Sequence, residues 1–228
     1  MSLDRRTLIK AMLWGGAVSP LAVRRMAWAG PVVRAAACAQ APLLVLLPGD
    51  GAGVPFLQGV LAAAGSTAVD WRVGASPEAI LRELVDRSGR GGPLRVVGLL
   101  EDAAAAPVLS VARSLGLATP WLGQHSLDSG GGSRHQVLTT ACGVGRGAQL
   151  ARMLEACGAD FAVRLECQDS QVHAWQGDRP APGRSRAGQW LAGLGWLLAS
   201  PCAEPPPPRR VPRTVPATGA FASFVMEA

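Results

Sequence analysis

The chain has 228 residues, with 22 Lys and Arg against 16 Asp and Glu, a formal charge of +6, and 49% hydrophobic residues. Lys10 is the only lysine and tyrosine is absent, which excludes, beyond residue 10, a lysine Schiff base, a P-loop lysine and a Tyr/Lys reductase pair. Without residues 1–29, which carry Arg5, Arg6, Lys10, Arg24, Arg25 and Asp4, 17 basic and 15 acidic residues remain, a net charge of +2. Phosphate recognition needs a clustered positive surface, so nucleic acid is not an expected partner.

The first segment, DRRTLIKAMLWGGAVSPLAV at residues 4–23, places adjacent arginines before a small-residue apolar run. That run, Ala11 to Val23, is about 13 residues long, against the roughly 20 that cross a bilayer, and Arg24 and Arg25 follow it. A basic start, a short apolar centre and an A-x-A site at Ala27-Trp28-Ala29 are the parts of a secretory signal. A second A-x-A site stands at Ala37-Cys38-Ala39. Arg5-Arg6, the spacer Thr7 and Leu8-Ile9-Lys10 resemble a twin-arginine (Tat) signal peptide, with Asp4 where that pattern prefers Ser or Thr. The weakly hydrophobic centre with Gly15, Gly16 and Pro20 suits the same resemblance. It implies recognition of Arg5, Arg6 and Lys10 by the Tat translocase, and loss of residues 1–29 or 1–39. The remaining protein is then periplasmic or secreted. Ala35-Ala36-Ala37-Cys38 is faintly similar to a lipoprotein cleavage box, with Ala35 where a branched aliphatic residue is usual.

The remaining length, about 190–200 residues, suits one α/β domain over 40–200, and nothing after residue 30 approaches a spanning length. Leu43–Leu47 reads as a buried strand closed by the turn residues Pro48-Gly49-Asp50-Gly51. Val54–Ala64 has helical spacing, and Thr67–Val73 fits a second strand. Ser76-Pro77-Glu78 opens a helix with an N-cap serine and Pro at its first position, and Ile80, Leu81, Leu84 and Val85 form its apolar face. Leu94–Leu100 is a third strand, followed by a helix to Leu115. Further strands are expected at Pro120–Gly123, His135–Thr140 and Asp160–Glu166, a Gly/Ser/Asp loop at Ser126–Ser133, and helices at Arg146–Ala156 and Arg184–Ala199. Strands alternating with helices predict a three-layer, mostly parallel sheet of Rossmann-like or flavodoxin-like type. Residues 201–228 are a Pro-rich extended segment ending in FASFVMEA. That terminal stretch is expected as an edge strand, or as a strand added to a partner's sheet.

Five cysteines, Cys38, Cys142, Cys157, Cys167 and Cys202, would face an oxidising compartment, where thiols tend to pair. Removal of Cys38 leaves four, enough for two disulfides in three connectivities; the alternative is buried thiols. No C-x-x-C or C-x-x-C-H occurs.

Three places are candidates for chemistry. Gly49, Asp50 and Gly51 follow a strand, where helix N-termini offer free N–H groups to ligands. Gly143, Gly145, Arg146 and Gly147 nearly match G-x-G-x-x-G and would present amides and a guanidinium to an anion. His125 and His135 flank a glycine loop with Asp128 nearby, the combination a general base would need. His173 stands apart, and no H-x-H or H-x-x-x-H spacing points to a metal. There is no G-x-S-x-G elbow.

VPFLQGVLAAAG, VDWRVG, LRELVDRSG and LRVVGLLED, within residues 54–102, resemble the opening lobe of periplasmic substrate-binding proteins, over about a quarter of the chain. The resemblance implies an α/β lobe and a small ligand. The missing catalytic signatures, the Pro-rich tail and the strand-like terminus point to a non-enzymatic exported protein that binds a small ligand or serves an envelope partner. The rival is a small exported enzyme, hydrolytic or metal-dependent, using His125 and His135 with Asp50 or Asp128. The residues identify no cofactor.

Overall fold

The computed structural model describes residues 42–65, 68–128, 132–140, 144–158, 160–168, 171–177, 189–200 and 219–228. Arg5, Arg6, Lys10, Cys38, Cys142, Gly143, Cys202, both A-x-A sites and the Pro-rich stretch 201–218 lie outside the described residues. In chain order the elements are β1 Leu43–Leu47, α1 Gly53–Ala64, β2 Val69–Val73, α2 Pro77–Gly89, β3 Arg95–Glu101, α3 Asp102–Ser114 and β4 Ala118–Leu127. They continue with β5 Gly132–Thr139, α4 Val144–Ala156, β6 Asp160–Cys167, β7 Val172–Gly177, α5 Gln189–Ala199 and β8 Gly219–Glu227.

All eight strands form one sheet in the order β2-β1-β3-β8-β4-β5-β6-β7. β1 runs parallel to β2 and β3, and β5 parallel to β6. The other four pairings, β3–β8, β8–β4, β4–β5 and β6–β7, are antiparallel. The sheet is therefore mixed, not mostly parallel as the alternating pattern suggests. Two local causes account for the difference. β4 and β5, and likewise β6 and β7, are each joined by four residues rather than a helical crossover, and such a connection can only make an antiparallel pair. The last strand then returns between β3 and β4, opposed to both.

That return corrects the second expectation. β8 is neither an edge strand nor a free one: it is the centre of the sheet, buried from Phe221 to Met226. Phe221, Ser223 and Val225 face one layer, and Ala222, Phe224 and Met226 the other. Gly98 of β3 makes room for Phe224, since a Cβ there would lie 2.1 Å from Phe224 Cζ.

Helices cover both faces. α2 and α3 pack on Leu44, Leu46, Val96, Leu100 and Phe224; α1, α4 and α5 pack on Leu43, Val45, Val97, Trp121, Leu165 and Phe221. Ser76 caps α2 as its sequence implies, its Oγ accepting from the Ala79 N–H at 3.3 Å. Ile80 and Leu84 of that helix are buried, whereas Val85 is exposed. α5 is apolar on nearly all sides and lies against α1 at backbone distance: a Cβ on Gly59 would sit 1.8 Å from Ala192 O, and one on Gly195 2.1 Å from Phe56 O. Small residues on both helices permit that approach.

Two further differences concern extent. β4 and β5 reach to Leu127 and Gly132, so Ser126, Leu127, Gly132 and Ser133 of the stretch read as a loop are strand, and β7 is an additional strand. Among the described residues, no helix is long and apolar enough to cross a membrane.

Candidate functional site: a buried histidine pair

The β4–β5 register sets His125 directly opposite His135, and β8 sets Phe221 beside His125. Both strands alternate, and the buried phase of β5 is Ser133, His135, Val137 and Thr139. The two imidazoles thus point into the layer under α5, each only 1% exposed. Their Nδ1 atoms lie 2.8 Å apart. His125 Nε2 is 2.7 Å from Ser223 Oγ, and His135 Nε2 is 2.9 Å from Ser133 Oγ. Trp121 Nε1 donates to Ser223 Oγ at 3.1 Å, and Ser133 Oγ donates to Asp160 O at 3.3 Å. Trp190 of α5 packs its indole against both rings, with centroids 4.8 Å from His135 and 5.4 Å from His125.

One proton arrangement satisfies all five contacts. The Trp121 indole can only donate, so Ser223 accepts from it and passes its own proton to His125 Nε2. His125 must then carry its hydrogen on Nδ1 and donate it to the bare Nδ1 of His135. His135 is the Nε2–H tautomer and donates to Ser133, whose hydroxyl turns to the Asp160 carbonyl. Reversing the chain would leave Ser133 without a proton for Asp160 and the Ser223 hydrogen without an acceptor among these groups. Both rings are neutral in this arrangement, and the surroundings keep them so. Burial pushes the His125 pKa well below its ordinary 6.5, and the neighbouring His135 adds to that. Burial alone lowers His135 to about 3. Charging an imidazole here would remove it from water with no carboxylate to compensate.

Gly123 is what lets His125 fold toward Ser223. A Cβ at that position would stand 2.6 Å from Ser223 Oγ and 2.8 Å from His125 Nε2. Arg95 fixes the roof of the site. Its Nη1 and Nη2 donate to Ala199 O and Leu198 O, each at 2.9 Å, and Nε lies 3.3 Å from Glu227 Oε1. A cation at the last carbonyls of a helix is favourably placed, and this one ties α5, with Trp190, to β3 and β8.

The other residues singled out from the sequence are not gathered here. Asp128 Oδ1 accepts from the Gly132 N–H at 2.9 Å and closes the hairpin. Asp50 Oδ1 accepts from the Ala52 N–H at 3.0 Å, a turn contact next to the exposed Gly49 and Gly51. β5 runs opposite to β1 across the sheet. The carboxyl ends of β1 and β5 therefore lie at opposite ends of the sheet. Gly145 is exposed and Arg146 half-buried at the start of α4. Gly147 lies under the Trp175 indole, where a Cβ would be 2.7 Å from Cη2. His173 is on β7, its ring 6.1 Å from that of Trp175, centroid to centroid.

Both cysteine readings left open by the sequence occur: Cys157 is a buried thiol, and Cys167 is disulfide-bonded. Ser133, Ser223, Trp121 and Trp190 were not anticipated at the site; the buried phase of β5 would have indicated Ser133, whereas nothing local marks Ser223. Among the described residues no group of three or more His, Cys, Asp or Glu is placed to hold a metal ion. No family model, curated protein or solved structure matches this chain.

Proposed function

We propose that the chain is an exported, non-enzymatic binding or accessory protein, serving a small ligand or an envelope partner. The observation that carries this reading is where its acid–base groups are spent. His125 and His135 are 1% exposed and bonded to each other and to serines, while Asp50 and Asp128 close turns. A general base has to reach substrate at hydrogen-bond distance; the two histidines are enclosed, and the two aspartates hydrogen-bond within their own turns rather than to the histidines. The Tat-like pattern around Arg5 and Arg6 supports export, and the α1-β2-α2-β3 segment is the part that resembles a periplasmic binding lobe.

Two experiments test the reading. Arg5→Lys with Arg6→Lys should trap the precursor in the cytoplasm; normal export of that variant contradicts the Tat route. Native mass spectrometry of the envelope-purified protein, with and without prior in-cell crosslinking, should show a small ligand or partner whose mass is lost on denaturation. A bare chain in both preparations overturns the binding reading.

A further inference from the structure

We propose that the His125–His135 pair is a two-coordinate site for a soft, monovalent d10 cation, Cu(I) or Ag(I), held between the two Nδ1 atoms. This deepens the binding reading by naming the ligand class, and it rests on that reading. The geometry has three parts. First, two imidazole nitrogens converge from adjacent strands at 2.8 Å. Metal–imidazole bonds of about 2 Å in a linear site span about 4 Å, so the rings need to part by only about 1 Å.

Second, the outer nitrogens are already provided for. When both Nδ1 lone pairs face a metal, both hydrogens sit on Nε2, where Ser223 Oγ and Ser133 Oγ stand at 2.7 and 2.9 Å. A ligating histidine ordinarily donates its second N–H to such a partner. Ser223 has two lone pairs, which take the His125 and the Trp121 N–H together.

Third, the site selects its ion. Two nitrogens are too few for Zn, which takes four ligands in structural sites, and the pair has no third His, Cys, Asp or Glu beside it among the described residues. The cost of bringing an ion into a low-dielectric core rises with the square of its charge, which disfavours every divalent cation relative to a monovalent one. Hard monovalent ions prefer oxygen donors, whereas imidazole suits copper. The Trp190 indole packed against both rings encloses the pair. Loading moves the His125 proton from Nδ1 to Nε2, so each ring keeps one hydrogen, and the Ser223 hydroxyl hydrogen, donated to His125 in the metal-free pair, turns away from the ring.

Because both rings are enclosed, the ion has to enter during folding. The test is to unfold the purified full chain in urea and refold it with silver nitrate in chloride-free buffer, then count bound silver by native mass spectrometry. The test is made in Cys157→Ala, since a thiol exposed by urea would itself take silver: about one ion per chain is expected there and none when His135→Gln is added. No uptake in Cys157→Ala, or uptake unaffected by His135→Gln, overturns the assignment. Should the double variant fail to fold, X-ray absorption of silver-loaded Cys157→Ala decides: two imidazole nitrogens support the site and sulfur donors overturn it. Failure here leaves the native mass of the envelope-purified protein, and so the binding reading, as a separate result.

Discussion

Acidification should destabilise this protein well before its carboxylates titrate. His125 and His135 are neutral in the fold, with pKa values lowered by burial, His135 to about 3. In the unfolded chain both return to about 6.5. A group whose folded pKa is depressed supplies full stability above its unfolded pKa and loses it as pH falls toward the folded value. Between pH 6.5 and about 3 the unfolded state binds more protons, so stability must decline as pH drops. Going from pH 7 to pH 5.5 costs about 1.2 kcal/mol for each imidazole, or about 2.5 kcal/mol for the pair. Asp70, held down by Arg72 and Arg87, and Glu83, held down by Arg87 and Arg72, contribute below their ordinary values near 4, outside this window. Urea melts followed by tryptophan fluorescence at pH 7.0 and 5.5 would measure the difference. His135→Gln should lose about half of the dependence. A wild-type stability equal at the two pH values would refute the buried, neutral pair.

Four other perturbations probe the frame. Gly59→Ala places a methyl group against the Ala192 backbone and should cost about 2–3 kcal/mol in urea melts, while Gly123→Ala, meeting the hydrogen-bonded Ser223 and His125 side chains, should cost about 1–3 kcal/mol. Arg95→Met removes both hydrogen bonds to the last carbonyls of α5; a loss of about 2–4 kcal/mol is expected, with faster amide exchange in α5 than in β1. Deleting residues 219–228 strips the shared partner from β3 and β4, and the truncated chain should show no cooperative unfolding transition.

Much of the fold was legible because burial leaves a periodic trace. Leu43–Leu47, the Ser76-Pro77 start of α2 and the apolar run into Glu101 each fall where the sequence places them. Sheet order left no such trace. FASFVMEA looks terminal because it follows eighteen residues of Pro-rich sequence, yet Phe221, Ala222, Phe224, Val225 and Met226 are apolar on both faces. A strand covered on both sides needs that composition, and it was the available sign of a central position. The histidines were legible as a facing pair, because ten residues with a glycine-rich middle fit a hairpin. Their environment was not, since it depends on Ser223, which lies 98 residues from His125 in sequence, and on Trp190 descending from α5. Asp128, three residues from His125 and so out of its strand phase, turns to the hairpin instead of the imidazoles.

The central claim is that two neutral imidazoles meet inside the core, Nδ1 to Nδ1, with opposite tautomers. NMR of the uniformly 15N-labelled protein tests it most directly, through the long-range couplings that identify each tautomer and the coupling carried across an N–H···N hydrogen bond. The structure predicts Nδ1–H on His125, Nε2–H on His135, a measurable Nδ1–Nδ1 coupling in the metal-free protein, and no titration of either ring from pH 7 to pH 5.5. Two rings of the same tautomer with no coupling, titrating near 6.5, would contradict it.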